Sequence, residues 1–346
     1  MLQRRQATIA AASLLLGRSS WAQVAASAPS VPLRRQPPEV GPASPPTGAG
    51  KVADKPRIVI PASAGGGWDT TGRMLGASLV ACGAAREIEY ENKGGKGGTL
   101  GLVHFVETYD ADPNALLIGG MVMLGAVALH RPSADIARVQ PLVKLTSEYL
   151  IIVVATDSKW QKLADLAGAL RADVRSIAIA GGSAGGIDHM FAGSFVRTIS
   201  ADPKQMNYQP FASGKDDVVG VLTSGKAQVA ITGLGDLDTL LKTGKVRVLA
   251  VSSRRPFAGL ATLREQGVST DMSNWRGVFA GLRLPAARHA ELQRAVEAAA
   301  AHPTWAAAVK QNKLEGTLVT GSNFAQMVEN DMMIARVMVF LLGLKA

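Results

Sequence analysis

The chain has 346 residues and a mass of 36.0 kDa, with 47% hydrophobic and 18% charged residues, so it can fold into about two globular domains and is not a disordered chain. Its single cysteine, Cys82, excludes an internal disulfide and a cysteine-only metal site. Half of the net charge of +10 lies in residues 1–55, and the +5 left for residues 56–346, with only 5% aromatic residues, argues against a nucleic-acid surface and favours anionic ligands. We therefore expect no nucleic-acid partner, no metal site and no cofactor.

Residues 1–22 have the order of an export signal. Arg4 and Arg5 precede an apolar run over residues 7–16, and Ser20 and Ala22 then give the small-residue pattern of a cleavage site. We expect cleavage near Ala22 and a periplasmic location. A short buried N-terminal helix is the alternative, and the arginine pair leaves the choice between twin-arginine and general export open.

A Pro-rich segment follows the export signal. Eight prolines lie between Pro29 and Pro56 with few large apolar residues among them, so residues 23–55 are predicted to be a linker, with folded structure from Arg57 onward. In the rest of the chain the longest uncharged apolar stretch is Ala115–Leu129. It is shorter than the roughly 18 residues that span a bilayer and is broken by glycines.

From Arg57 onward, short β-branched runs alternate with helical patterns. Strands are predicted at residues 57–60, 88–91, 116–118, 176–180, 229–232 and 246–251, and helices at residues 69–82, 99–109, 122–129, 186–199 and 237–241. Strands that alternate with helical crossovers indicate parallel sheets covered on both faces, so the predicted fold class is α/β with two domains. The tail, residues 285–346, is predicted to be mostly helical, with a new helix at Pro303.

Three glycine-rich turns lie where a predicted strand ends and a predicted helix begins, at residues 61–69, 92–99 and 181–189. Each exposes backbone N–H groups at a helix N-terminus, where unpaired donors and the helix dipole favour an anion. Ligands of open α/β sheets bind at these carboxyl ends of the strands. The sequence therefore predicts an anion-binding cleft, and the alternative is that the glycines only form tight turns.

Two enzyme motifs are matched only in part. Residues 220–226 have P-loop spacing, but Ala227 stands where the magnesium-binding Ser or Thr is needed, and no glycine turn spells the dinucleotide fingerprint. Ser183 lies in a Gly-x-Ser-x-Gly turn between a predicted strand and helix, so a serine hydrolase is the alternative function. It would need His289 or His302 as the base, and both lie in Ala-rich helical stretches.

Three side chains beside these turns have two interpretations each. Asp69 stands at the predicted N-cap of the first helix, where a carboxylate satisfies free N–H groups, and ligand contact is the alternative. His189 either points into a cleft or packs. Trp68 is either core or a wall of the site, and its place beside a glycine turn favours the wall.

The sequence resembles one family in the order and spacing of its motifs over nearly all of residues 57–344. The segments that carry the resemblance are PASAGGGWD (61–69), ENKGGKGGTLG (91–101), GSAGGIDH (182–189), GKVRVLAVS (244–252) and NWRGVFA (274–280). With these segments the chain is similar to the extracytoplasmic solute-binding component of tripartite tricarboxylate transporters, the tricarboxylate-receptor or Bug family.

The resemblance implies a two-lobed, Venus-flytrap receptor without catalysis. Such a receptor would be a monomer that captures a small di- or tricarboxylate between its lobes and delivers it to membrane permease subunits. Each lobe would be a mostly parallel sheet covered by helices, and the lobes would close over the ligand. The implied boundaries are residues 56–145 plus 283–346 for lobe 1, 156–273 for lobe 2, and 146–155 with 274–282 for the connecting strands.

The resemblance also implies where the ligand is bound. Ile187 stands where the family often has Thr, and Lys93 and Lys96 replace residues that are usually uncharged, so the identity of the carboxylate stays open. Four to six charge-assisted hydrogen bonds at about 1.5–3 kcal/mol each supply a micromolar affinity, so we expect no arginine to be required. The implied ligand contacts are Ser63, Ala64, Gly65, Gly66, Gly67, Trp68 and Asp69 in the first turn and Ser183, Ala184, Gly185 and His189 in the third.

Overall fold

A computed structural model of the chain describes residues 51–182, 184–210, 217–312 and 314–345, without the side chains of residues 217 and 236–239. The predicted export signal, 1–22, and most of the predicted linker lie outside these residues.

The end of the predicted linker, residues 51–55, packs against the rest of the chain. Val52 is only 2% exposed, and its N–H donates to the Ala84 carbonyl oxygen at 2.9 Å. The prediction that packed chain begins at Arg57 is therefore wrong. A single valine among polar neighbours gives no periodic signal, so its burial could not be foreseen.

The described chain alternates strands and helices over most of its length. Its strands are β1 (Arg57–Ile60), β2 (Glu89–Asn92), β3 (Ala115–Gly120), β4 (Val139–Ala155), β5 (Ala178–Gly181), β6 (Asn207–Pro210), β7 (Val229–Gly233), β8 (Val246–Val251), β9 (Ser273–Gly281) and β10 (Glu315–Thr320). Its α-helices are α1 (Gly67–Ala81), α2 (Thr99–Tyr109), α3 (Met121–His130), α4 (Leu163–Ala172), α5 (Ile187–Thr198), α6 (Asp217–Thr223), α7 (Leu237–Lys242), α8 (Ala286–Ala301), α9 (Pro303–Gln311) and α10 (Gly321–Leu341).

The strands form one mixed sheet in the order β2-β1-β3-β9-β4-β7-β5-β6, with β8 and β10 also paired to β4. The pairs β1–β2, β1–β3, β5–β6 and β5–β7 are parallel. The β3–β9 pair and all pairings of β4 are antiparallel. The α/β class is confirmed, and the sheet is mixed because the two long strands run against their neighbours.

The longest strand, β4, pairs with two different groups of strands, which we call the two parts of the sheet. Residues 139–149 of β4 pair with β9, whereas residues 150–155 pair with β7 and β8. The described residues from 51 to 345 form one compact unit. Within this unit α10 extends from one part of the sheet to the other. The C-terminal end of α10 packs closely on α5, because a Cβ atom added to Gly193 of α5 would lie only 2.7 Å from the side chain of Leu342, the residue after α10.

Buried apolar residues explain most of these elements. In β1 the residues Ile58, Val59 and Ile60 are fully buried, and α1 packs close to β1 because a Cβ on Gly72 would lie 2.8 Å from the Ile60 side chain. The α2 helix has the predicted bounds, and α9 begins at Pro303 as predicted. No helix among the described residues combines the length and hydrophobicity that crossing a bilayer requires.

Two strands were not predicted. The tail contains α8, α9 and α10, but it also contains β10, a short strand that pairs with β4. The other is β6, which ends in Pro210 and pairs with β5 in parallel. Both are short and partly exposed, so neither carries the buried β-branched run by which the other strands are recognised.

Candidate functional site

The three glycine-rich turns lie at the carboxyl ends of strands, as predicted. We call them the first loop (residues 61–66, between β1 and α1), the second loop (93–98, between β2 and α2) and the third loop (182–186, between β5 and α5). The first and second loops pack together, because a Cβ on Gly94 would lie 3.0 Å from the Ser63 backbone nitrogen.

Asp69 holds the first loop in shape. The Gly65 N–H donates to Asp69 Oδ2 at 2.9 Å, Arg73 Nε donates to the same oxygen at 2.9 Å, and Asn92 Nδ2 donates to Oδ1 at 3.0 Å. Burial would raise the pKa of Asp69, but these hydrogen bonds outweigh it and lower the pKa to about 2. Asp69 is the third residue of α1 and the N-cap is Gly66, so the prediction that Asp69 caps the helix is wrong.

The third loop repeats the geometry of the first. Ser-Ala-Gly-Gly occurs at residues 63–66 and at residues 183–186. Gly65 and Gly185 have φ angles of 83° and 77°, in the left-handed region that favours glycine. In each loop the next glycine is the extended N-cap of the following helix. The two loops therefore present helix N-termini in the same way, although Ser183 itself lies outside the described residues.

His189 takes in the third loop the place that Asp69 takes in the first. The Gly185 N–H donates to His189 Nδ1 at 3.1 Å, four residues along the chain, as Gly65 donates to Asp69. His189 is buried and its ring stacks on Tyr208 with 3.9 Å between ring centroids. Burial lowers the pKa of His189 to about 4. The ring is therefore neutral at pH 7, with its proton on Nε2, because Nδ1 accepts a hydrogen bond.

Asp188 and Tyr208 hold the start of the third loop through hydrogen bonds to Gly182. The Gly182 N–H donates to Asp188 Oδ2 at 2.7 Å, and the Tyr208 hydroxyl donates to the Gly182 carbonyl oxygen at 2.8 Å. Burial raises the pKa of Tyr208, so the phenol stays protonated and remains a donor. Together with His189 these contacts fix the backbone of the loop.

Trp68 is part of the core. It is 8% exposed, and a Cβ on Gly98 would lie 2.5 Å from its ring. The preference for Trp68 as a wall of the site is therefore wrong for the indole ring, although its backbone N–H remains in the first turn of α1. By contrast, Ser63, Ala64 and Gly67 are exposed.

The α3 helix connects the second and third loops. A Cβ on Gly97 would lie 2.6 Å from the Ala126 Cβ, and one on Gly125 would lie 2.9 Å from the Gly185 carbonyl oxygen. On the third loop Gly185 is buried, whereas Ala184 is exposed. The structure thus places the predicted contacts, apart from Ser183, in two groups, one at each loop and the start of its following helix, and Ala64 and Ala184 are the exposed alanines at equivalent positions.

A largely buried ion pair lies beside the first loop, and sequence reasoning missed it. Arg276 on β9 is 8% exposed and donates to Glu148 on β4. A Cβ on Gly67 would lie 2.8 Å from the Arg276 guanidinium, and one on Gly233 would lie 2.6 Å from Glu148 Oε1. One signal was available, since both charges interrupt strands that are otherwise largely apolar.

The histidines that a hydrolase would require make other contacts. His289 Nε2 lies 3.2 Å from the Pro141 carbonyl oxygen. His302 accepts a hydrogen bond from the Thr304 N–H at 3.3 Å, as the N-cap of α9. Within the described ranges no three His, Cys, Asp or Glu side chains are placed to hold a metal ion. Around the first and third loops, hydrogen bonds to backbone groups of the loops are made by the side chains of Asp69, Asp188, His189 and Tyr208.

Comparisons with known proteins identify the family and the fold. The sequence profile of the tripartite tricarboxylate transporter family receptor, TctC, matches residues 81–344. A TctC solute-binding protein from Polaromonas superposes with a TM-score of 0.71 at 18% identity, covering 83% of this chain and 98% of that one.

Two further structures were solved with ligands. MatC from Rhodopseudomonas palustris, with bound malate, has a TM-score of 0.64 at 21% identity and covers 83% of this chain and 99% of that one. An R. palustris protein with adipate has a TM-score of 0.68 at 19% identity, with coverage of 84% and 98%. These likenesses show the fold of solute-binding proteins. Because the family profile matches most of the chain, this protein belongs to the tripartite tricarboxylate transporter receptor family.

Proposed function

We propose that this protein is a periplasmic solute-binding protein that captures a small di- or tricarboxylate and delivers it to the permease subunits of a tripartite tricarboxylate transporter. The observation that carries the proposal is the matched pair of loops at the carboxyl ends of β1 and β5. Each loop turns its backbone through a left-handed glycine and presents the N-terminus of a helix of more than ten residues. Malate and adipate in two structures of the same fold support a carboxylate ligand.

Backbone donors at helix N-termini suit a carboxylate. The first N–H groups of α1 and α5 have no partner within their helices, and the helix dipole favours negative charge there. Since Asp69 and His189 already occupy the N–H groups of Gly65 and Gly185, the donors that we assign to the ligand are those of Ala64, Gly67 and Trp68 and their third-loop equivalents. On the third loop and the first turn of α5 the proposed contacts are Ser183 and the N–H groups of Ala184, Ile187 and Asp188.

We further propose that the protein is a monomer without catalytic activity and that two lobes close on the ligand. Lobe 1 comprises residues 56–145 and 283–346, and lobe 2 comprises residues 156–273. The connecting strands are residues 146–155 and 274–282. A carboxylate held by one loop alone keeps one side in water, where its hydrogen bonds contribute little net free energy, so ligand that bridges both loops favours closure.

The test is a thermal-shift screen of the mature protein against organic acids, amino acids, sugars and nucleotides, followed by titration calorimetry. We expect stabilisation by citrate-like acids first, and by aromatic dicarboxylates second. Stabilisation by a neutral sugar alone would refute an anion receptor. Turnover of simple esters that Ser183→Ala abolishes would instead establish the hydrolase alternative.

The loops are tested with matched alanine-to-tryptophan variants. Ala64→Trp and Ala184→Trp place bulk at equivalent exposed positions of the first and third loops, and each should weaken binding at least about 30-fold. Ala307→Trp, at an exposed position of α9, is the control that should bind normally. An unchanged affinity in either folded loop variant would remove that loop from the site.

A further inference from the structure

The two long strands carry a polar cluster on one face. Thr146 of β4 is opposite Arg276 of β9, and Glu148 is opposite Asn274. Directly opposed residues of an antiparallel pair share a face, and so do residues two apart on one strand. All four side chains therefore lie on the same face, at the centre of the sheet, where β4 passes from its pairing with β9 to its pairing with β7.

The ion pair in this cluster reaches both parts of the sheet. The Arg276 guanidinium lies against Gly67, the first residue of α1, because a Cβ there would be 2.8 Å from it. Glu148 Oε1 lies against Gly233, the last residue of β7, where a Cβ would be 2.6 Å away. The pair thus sits between the first loop and the end of β7.

The position of Arg276 is electrostatically unusual. A cation at the N-terminus of a helix faces the positive end of the dipole, so it is unfavourable unless an anion lies beside it. In this structure Glu148 is that anion. Since the guanidinium has five N–H donors in a fixed fork and binds carboxylates in a bidentate manner, Arg276 has donors beyond those that one hydrogen bond to Glu148 uses.

Unsatisfied polar atoms lie in the same cluster. Thr146 is fully buried, and its Oγ1 has no hydrogen-bond partner among the described residues. The same holds for Asn274 Oδ1. A buried polar group without a partner costs free energy, so these atoms indicate that a further polar group is accommodated on this face.

We propose that Arg276 is the charged contact for a carboxylate of the ligand and that Glu148 is its counter-ion when the ligand is absent. The inference rests on the proposed function. The carboxylate lies beside Gly67, where the guanidinium and the first turn of α1 meet, and contacts both. Glu148 neutralises the charge of Arg276 and so lowers the affinity of the site for anions. This reduction in affinity is largest for the ligand that carries the most negative charge.

Two variants separate this role from a structural one by the direction of their effects. Glu148→Gln leaves Arg276 uncompensated, so calorimetry should show about fivefold or tighter binding of malate, and a larger gain for citrate. The double variant Arg276→Gln with Glu148→Gln keeps the pair neutral and avoids a lone buried charge. It should bind both acids at least about 30-fold more weakly than the wild-type protein.

The melting temperature and the far-UV circular dichroism of each variant establish that it folds. If the double variant does not fold, Arg276→Lys replaces it, because lysine keeps the charge but lacks the bidentate fork, and about fivefold or weaker binding is then expected. A structural pair would change the melting temperature and leave the dissociation constants of the folded variants within about twofold of wild type.

The outcomes distinguish the inference from the proposed function. If wild-type protein binds malate or citrate and Ala64→Trp abolishes it, while the Arg276 variants bind normally, Arg276 is not a contact and the receptor assignment stands. Weaker binding by Glu148→Gln also overturns the counter-ion role. If wild-type protein binds none of the acids in the screen, both the proposed function and this inference are wrong.

Discussion

Acid should destabilise the third loop through His189 before it affects the first loop. His189 has a pKa lowered by burial to about 4, against about 6.5 in an unfolded chain. A base with a depressed folded pKa is neutral in both states above pH 6.5, so the full stability is present there. As the pH falls from 6.5 to 4, the unfolded chain takes up the proton first, and stability is lost.

The magnitude follows from linkage. One proton and a difference of about 2.5 units give a loss of about 2 kcal/mol by pH 5 and about 3 kcal/mol by pH 4. Protonation at Nδ1 also removes the acceptor of the Gly185 N–H. Over the same range Asp69 stays charged, because its pKa is about 2, so the first loop keeps its brace.

The assay is urea unfolding followed by circular dichroism, at pH 7, 5 and 4, for the wild-type protein and for His189→Gln. Glutamine does not titrate, yet its Oε1 can still accept a hydrogen bond from the loop. All other ionisable groups are common to the two proteins, so the difference between their pH profiles isolates His189. Parallel profiles from pH 7 to pH 4 would show that His189 is not buried as a neutral ring.

Three other substitutions have defined outcomes. Lys144 is buried, and burial is the main reason that its pKa is lowered to about 8. The wild-type protein should therefore gain stability as the pH rises from 8 to 10.5. Lys144→Met should abolish that gain and raise the free energy of unfolding at pH 7 by about 2–3 kcal/mol, and a loss of stability at pH 7 would contradict this expectation. Asp69→Asn should lower the free energy of unfolding at pH 7 by about 2 kcal/mol, as measured by urea unfolding. The lowered pKa of Asp69 reports a stabilisation that is present above pH 3.8 and is lost as the pH falls through about 2. An unchanged urea midpoint in the variant would contradict this expectation. Trp275→Phe should cost about 1–2 kcal/mol on thermal unfolding, because the indole N–H donates to Asp331 Oδ2 at 2.8 Å, and a neutral result would show that the hydrogen bond adds nothing.

Much of the fold could be predicted because its strands are buried on both faces. In β1 three consecutive β-branched residues mark the strand directly and a glycine turn marks the start of the next helix, while in β7 and β8 β-branched residues recur among other residues. The three loops could be placed for the same reason. The repeated Ser-Ala-Gly-Gly sequence could not reveal that the side chain four residues after each left-handed glycine accepts a hydrogen bond from that glycine. Asp69 and His189 differ in charge, yet both serve as acceptors for a loop N–H.

The polar cluster could not be derived, because it depends on register. Glu148 and Arg276 are 128 residues apart in the chain and meet only because β4 and β9 pair as they do. Because backbone donors alone can supply a micromolar affinity, the sequence predicts no need for an arginine in the site. Long-range pairing of this kind leaves no periodic pattern in a single sequence.

The shared strand β4 determines how this molecule can be divided. Its residues 139–149 complete the part of the sheet that contains β9, and its residues 150–155 complete the part that contains β7 and β8. A cut between residues 149 and 150 would leave residues 139–149 without β9 in one fragment, and β9 and β10 without residues 139–149 in the other, so both fragments would carry exposed strand edges. Such edges pair with other chains and aggregate. Chimaeras of related receptors would therefore have to exchange β4 and β9 together as one piece, and the two halves would not fold as separately expressed proteins.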